Sequence, residues 1–536
     1  LSQRTSRDAY LQGAFILAAA SMVSRILGAF YRIPFGRIVG AEVLGLYQVG
    51  YSYYIVLVGL ATSGLNVAVS KLMADRLAGG DEAATHRVFR AALLLLALAG
   101  LGSGALLVFL ARPLVTLSRM PDAYLAVVAL APALVVVSLE AAFRGYFQGY
   151  QRMGPPAASQ VLEQVFRVAA ILVLGLALLP RGKAWAAAGA TFGATIGAVA
   201  GLAFLLIPYL RARRVAGRHI PGIQGPASAG EGLPVIARSI VMVALPVSLA
   251  AVALPVMNLV DTLTVPYRLA GAGVPMTELS RQFAWLTGMA MTVVNLPAVV
   301  TAGLQTSLVP AVAEGWTLGE ATGVRYKAST ALRLTLLVAL PAFAGLWALA
   351  TPICDLLFGE PQAGVALAAL SGATVFLMVQ QTTSGVLQGL GRSDVPALNL
   401  LIGAAVKAVL VWVLVGTSLG IRGAALSSVG GFLVAAFSNT LAVRRLVGLD
   451  LDLARTLVKP AVASTAMGLA VRAGYSWLAP SLGSAWATVL MVLAGPVVYG
   501  LALLALRGLR ESDFSYVPGV GRPVARLLRR TGLIRD

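Results

Sequence analysis

From residue 10 to residue 506 the chain is a succession of apolar runs separated by short, mostly basic segments. The stretch AALLLLALAGLGSGALLVFL at residues 91–110 is typical. About 20 apolar residues in a helix cover the hydrocarbon core of a bilayer. Inside that core every backbone N–H and C=O must find a partner within the protein, which leaves only helices or a closed barrel. Barrel strands would alternate polar and apolar residues over short segments. These runs are continuous, so the expected fold is an all-α polytopic membrane protein. Charged residues are only 12% of the chain, against about 25% in soluble domains.

The expected spans are 10–35, 43–70, 89–111, 122–143, 157–179, 185–209, 239–262, 283–311, 328–350, 363–387, 396–417, 422–443, 457–478 and 485–506, fourteen in all. The charges between them set an orientation. With the N-terminus inside, the Lys and Arg between spans fall mostly on the inner side. Such a bias predicts both termini in the cytoplasm. It also explains a net charge of +20 without nucleic acid as a partner. The first span is read as retained rather than as a cleaved leader.

One phrase occurs twice. GYFQGYQRMGPPA begins at Gly145 and GVLQGLGRSDVPA at Gly385, with six identities in thirteen positions at an offset of 240. They are Gly145/Gly385, Gln148/Gln388, Gly149/Gly389, Arg152/Arg392, Pro156/Pro396 and Ala157/Ala397. Arg167 meets Lys407 at the same offset, and GLNVAVS at Gly64 echoes GLQTSLV at Gly303. The phrase joins spans four and five, then ten and eleven, on the same side. A parallel repeat of this kind implies two pseudo-symmetric six-helix lobes. The expected divisions are residues 1–236, 237–450, and 451–536 for two further helices and a basic tail. Within the phrase itself, Gly and Pro suit a helix–loop–helix corner anchored by Arg; a gating or substrate contact is the other reading.

Charges inside spans are costly and mark cavities or partners. Arg25 and Arg32 are seven residues apart, nearly two helical turns, and so share a face. Glu163 and Arg167 are an i, i+4 pair, which either neutralises itself or serves a substrate. Lys407 has Gly403, not a carboxylate, at the matching place. Asp261, with Asn258 nearly one turn earlier, is a candidate for an ion or a gate, and Arg268 follows. Glu140 and Arg144 read as an interfacial anchor. Pro246 and Pro255 are expected to interrupt the seventh span, and Pro297 and Pro310 the eighth. The cationic excess suits an anionic cargo, because guanidinium binds phosphate bidentately.

Cys354 is the single cysteine, so no disulfide forms within the chain, and with two histidines a metal centre or haem is not expected. Nucleotide-binding and hydrolase motifs are absent. A transporter is therefore expected rather than an enzyme, with no cofactor. Either a coupling ion, Na⁺ or H⁺, or the membrane potential would supply the drive.

SMVSRILGAFYRIPFGRIVGAEVLGLYQ at 21–48, NLPAVVTAGLQTSLVPAVAE at 295–314 and the LQGLGRSDVPALN corner resemble the SpoVB/MurJ-type polysaccharide biosynthesis proteins. These are members of the multidrug/oligosaccharidyl-lipid/polysaccharide (MOP) flippase superfamily. The resemblance covers nearly the whole chain. It implies two lobes around a central cavity, with the last two helices forming a groove for a lipid tail. It also implies an undecaprenyl-pyrophosphate-linked cargo, lipid II foremost, moved from the inner to the outer leaflet of the bacterial cytoplasmic membrane. Membrane lipids and cell-wall synthesis enzymes are the implied neighbours. The family's first-helix arginines carry over to Arg25 and Arg32. Its acidic–basic pair before Leu-Pro on the eighth helix does not, since Met291 and Thr292 stand there. That leaves Asp261, Arg268, Arg167 and Lys407 as the candidate substitutes. A cargo of another lipid-linked glycan, a drug antiporter and a non-transporting cell-wall scaffold are the alternatives.

Overall fold

The computed structural model describes Gly13 and residues 16–17, 19–24, 26–216 and 232–509. Arg25 and the tail residues Arg522, Arg526, Arg529 and Arg530 lie outside the described residues. Among the described residues the chain is helical throughout and has no strand. Eleven helices are long and apolar enough to cross a membrane, or twelve if the bent pair Pro361–Leu370 and Gly372–Gly389 is one span. Two of the fourteen expected spans are outside that number. The first runs partly through residues that are not described. The thirteenth is a helix, Lys459–Leu482, long enough to cross but less apolar than the rest.

The chain divides into two compact units, residues 1–284 and 285–536. The first contains α1 (Arg32–Val39), α2 (Ala41–Val58), α3 (Gly64–Ala78), α4 (Glu82–Leu117), α5 (Ala131–Gly149), α6 (Gly154–Leu178), α7 (Lys183–Ala216), α8 (Leu233–Gly271) and α9 (Met276–Phe283). A π-helical turn at Gly59–Ser63 joins α2 to α3. The second contains α10 (Met291–Thr317), α11 (Ala321–Ala348), α12 (Ala363–Leu370), α13 (Gly372–Gly389), α14 (Asp394–Leu414), α15 (Ile421–Val447), α16 (Lys459–Leu482) and α17 (Ser484–Ala505).

Pro246 and Pro255 do not interrupt the seventh span, nor Pro297 and Pro310 the eighth: α8 and α10 run through them. A proline removes one N–H and crowds the preceding turn, which a packed neighbour can absorb. Helix α3 packs against α8 beside Pro246. Gly64 N–H donates to Ser248 Oγ at 3.2 Å, and a Cβ on Gly64 would stand 1.9 Å from the Ala244 carbonyl oxygen.

The doubled phrase is a doubled helix corner. In the first copy Arg152 N–H donates to Phe147 O at 2.8 Å, in the second Arg392 N–H to Leu387 O at 2.9 Å. Residue 151 and residue 391 are both left-handed, Gln151 at φ 56° and Gly391 at φ 76°. This is the Schellman ending of a helix. The paired glycines have a second purpose. A Cβ on Gly149 would meet Met73 Cβ at 2.8 Å, and one on Gly389 would meet Val312 Cβ at 2.7 Å. Gly145 likewise faces Asn66 and Val69, and Gly385 faces Gln305. Each glycine pair thus lets α5 or α13 close onto α3 or α10, as small residues do between membrane helices.

Candidate functional site

Beyond the first corner, α5 and α6 carry charge at helical spacing, Glu140 and Arg144 on one, Ser159, Glu163 and Arg167 on the other. Arg144 Nη2 is 2.6 Å from Glu140 Oε1 and 2.7 Å from Glu163 Oε2. Its Nε donates to Ser159 Oγ at 3.1 Å. Arg167 completes the chain by pairing with Glu163 Oε1. Glu140 is 0% exposed and Glu163 8%, so the Glu140–Arg144 pair is no interfacial anchor. It is fused with Glu163–Arg167 into one buried network.

Helix α7 makes room for it. A Cβ on Gly201 would lie 2.2 Å from Glu140 Oε1, and one on Gly197 would lie 2.7 Å from Arg167 Cβ. Removing one member of a buried ionic network leaves an uncompensated charge, at a cost of about 3–5 kcal/mol.

Tyrosines of α2 extend the network. Tyr47, Tyr51 and Tyr54 are spaced four and three residues apart, one helical face. Tyr47 and Tyr51 stack with centroids 5.7 Å apart, and Tyr54 follows at 5.9 Å. Arg32 Cζ stands 5.8 Å from the centre of the Tyr51 ring, a cation–π contact. The Tyr31 and Tyr47 hydroxyls meet at 2.7 Å. Tyr51 and Tyr54 both lie in the electrostatic field of Arg167 and Glu163. The segment before α1 is docked on α6. Ser21 Oγ donates to Gln160 Oε1 at 3.1 Å, and Ser24 Oγ to Gln160 O at 3.3 Å.

Of the site residues expected from sequence, the structure therefore brings Arg32, Glu163 and Arg167 into one neighbourhood. Asp261, Asn258 and Arg268 all stand on α8, where Asp261 is 2% exposed and Thr262 Oγ1 donates to Asn258 O at 3.2 Å. Lys407 is in the second unit, on α14, and 0% exposed. Sequence reasoning missed the tyrosine face and the inclusion of Glu140 and Arg144.

The repeat held the missing signal. At the offset of 240, Glu140, Arg144, Ser159, Glu163 and Arg167 correspond to Gln380, Ser384, Asn399, Gly403 and Lys407. The second unit builds a network at these positions too, largely from uncharged groups. Gln380 Nε2 donates to Ser384 Oγ at 3.0 Å and Asn439 Nδ2 to the same oxygen at 3.1 Å. Asn399 Nδ2 donates to Asn439 Oδ1 at 2.8 Å. No carboxylate fits at 403, where a Cβ would stand 2.5 Å from Gly431 O.

The second unit also holds an apolar cavity of about 550 Å³ among α10, α11, α16 and α17, with Pro297, Pro341, Leu349, Met467, Val471 and Tyr499 in its wall.

Comparison with known proteins gives a consistent result. The polysaccharide biosynthesis protein family matches residues 10–316, and the MatE family matches residues 286–413. Stage V sporulation protein B of Bacillus subtilis (strain 168) is 29% identical over 526 residues, covering 97% of this chain and 100% of that protein. Lipid II flippase MurJ of the same organism is 27% identical over 480 residues, covering 86% of this chain and 88% of its own length. A solved structure of lipid II flippase MurJ in an inward closed conformation superposes with a TM-score of 0.68 at 14% identity. That superposition covers 92% of this chain and 98% of the other.

Proposed function

The chain belongs to the polysaccharide biosynthesis protein family, and on that premise we propose that it is a lipid-linked oligosaccharide flippase whose cargo is lipid II. It works in the bacterial cytoplasmic membrane, with both termini in the cytoplasm. The diphosphate and sugar of the cargo enter from the inner leaflet while the polyprenyl tail stays in lipid. Arg25 and Arg32 bind the diphosphate, and Arg167, Lys407 and Arg268 add positive potential along its route. Alternating access then presents the headgroup to the outer leaflet.

The observation that carries this reading is the assembly around Tyr51. Three guanidinium groups (Arg32, Arg144, Arg167) and two carboxylates (Glu140, Glu163) gather inside apolar helices, a net charge of +1 by that count. Such groups are expensive in a membrane and are kept where function needs them. The apolar cavity beside α16 and α17 suits the polyprenyl tail. The membrane potential is worth about 2.3 kcal/mol per charge per 100 mV, so two negative charges moving outward across the full field gain roughly 4–5 kcal/mol. No nucleotide is required.

The MatE match over residues 286–413 favours a second reading, an antiporter of cationic compounds. A cargo panel in proteoliposomes separates the two. Lipid II, a second undecaprenyl-pyrophosphate-linked glycan and a lipophilic cationic dye are tested under an imposed potential. Lipid II movement supports the proposal. Movement of the second glycan alone moves the cargo assignment, and movement of the dye alone replaces the flippase with an antiporter.

A further inference from the structure

A second cavity, about 420 Å³, lies where the start of α11 meets the segment before α16. This is the end of the second unit where Arg444, Arg445, Arg455 and Lys459 concentrate, the cytoplasmic end by charge bias. Its volume is within the usual range of roughly 300–1,000 Å³ for small-ligand sites. Arg325, Tyr326, Thr330 and Asp450 are among the residues that line it.

The wall is constructed from fixed parts. Arg333, 4% exposed, donates from Nη2 to Gly508 O at 2.9 Å and from Nη1 to Arg455 O at 3.4 Å, tying α11 to both ends of the α16–α17 pair. Asp450 N–H donates to Ser329 Oγ at 2.9 Å, fixing the backbone that presents the Asp450 carboxylate. Asp452 is engaged with Arg455 at 3.6 Å. Gly448, at φ 75°, gives the Arg325 guanidinium its space: a Cβ there would be 3.5 Å from Nε. Among the described residues, Arg325 and Asp450 have no ion-pair partner, and they do not pair with each other. One cavity therefore offers a guanidinium with a phenol hydroxyl beside it in sequence, and a carboxylate. Formal charges in the wall, Arg325 and Arg333 against Asp450 and Asp452, cancel. A simple anion gains little from such a site, whereas a zwitterion with a phosphate and a primary ammonium matches both free charges.

We propose that this cavity binds a phosphoethanolamine group, the phosphate on Arg325 and Tyr326 and the ammonium on Asp450. The group belongs to a membrane phospholipid or to the free soluble compound. Bound there, it joins α11 to the 448–452 segment and stiffens the attachment of α16 and α17.

Native mass spectrometry of the full chain in detergent tests this with phosphatidylethanolamine, phosphatidylglycerol and phosphatidylcholine at equal concentration. The native protein retains the ethanolamine lipid preferentially, because choline has no N–H to donate and glycerol no positive charge. Arg325→Gln and Asp450→Asn each lower its retention about tenfold, the loss of one charge-assisted contact. Both side chains are solvent-facing, and unchanged melting temperatures show that the variants are folded. Competition by soluble phosphoethanolamine identifies the free compound as a ligand; ethanolamine-lipid retention without such competition identifies the lipid. Equal retention of all three lipids, or retention indifferent to both substitutions, overturns the proposal.

Discussion

Arg144 on α5 reaches Glu163 on α6 with Nη2 at 2.7 Å from Oε2, while the same nitrogen stands 2.6 Å from Glu140 Oε1. One guanidinium thus holds two carboxylates from two helices in a place with little water. Arg144→Ala removes the cation common to both, and unfolding should become easier by about 3–5 kcal/mol. Adding Glu140→Gln should recover part of that loss, because the one orphaned carboxylate disappears while Glu163 keeps Arg167 as its partner. Thermal unfolding in detergent, run for the single and the double variant, measures both steps. A single variant as stable as the native protein would show that the network contributes nothing to the fold.

The two corners make a matched pair of opposite substitutions. Gln151 occupies a left-handed position that Gly391 fills in the second copy. A non-glycine residue there costs roughly 1–2 kcal/mol. Gln151→Gly should therefore raise the melting temperature and Gly391→Ala should lower it. Equal shifts of the same sign would contradict the account of the corner.

Close approach at Gly64 gives a sharper loss. Its missing Cβ would lie 1.9 Å from a backbone oxygen of α8, which cannot rotate away. Gly64→Ala should destabilise the first unit by about 1–3 kcal/mol through forced backbone shifts. Gly303→Ala, whose Cβ would meet nothing within 4 Å, is the paired control. Melting curves of the two variants should differ; coincident curves would count against the packing described.

Much of this was readable in advance, for identifiable reasons. The membrane fold follows from the length and continuity of the apolar runs, because only helices or a closed barrel satisfy a backbone in lipid and barrel strands would alternate. The corner followed from Gly145, Gly149 and Arg152 recurring at 385, 389 and 392. Continuity of α8 through Pro246 and Pro255 was not readable, because it depends on which helix packs alongside. In the sequence Glu140 reads as half of an interfacial anchor, because an i, i+4 pair with Arg144 looks complete by itself. Only the fold reveals that Glu163 sits within reach of the same guanidinium. The Tyr47, Tyr51 and Tyr54 face was visible as spacing, but nothing in the spacing says that Arg32 lies over Tyr51.

Filling the apolar cavity tests the proposed path of the lipid tail. Gly495→Trp would place an indole among Met467, Val471 and Pro297, in a space of about 550 Å³. Transport should fall at least tenfold while thermal stability is kept, since the ring occupies existing space. Unchanged transport in a folded variant would remove the cavity from the mechanism.

The most direct test of the central claim is leaflet-resolved movement of fluorescent lipid II in proteoliposomes, with and without an imposed potential. It compares native protein with Arg25→Ala/Arg32→Ala. The account predicts potential-sensitive movement by the native protein and its loss in the folded double variant. Lipid II crossing at the native rate without both arginines would contradict the diphosphate role assigned to them, and no crossing by the folded native protein would contradict the flippase itself.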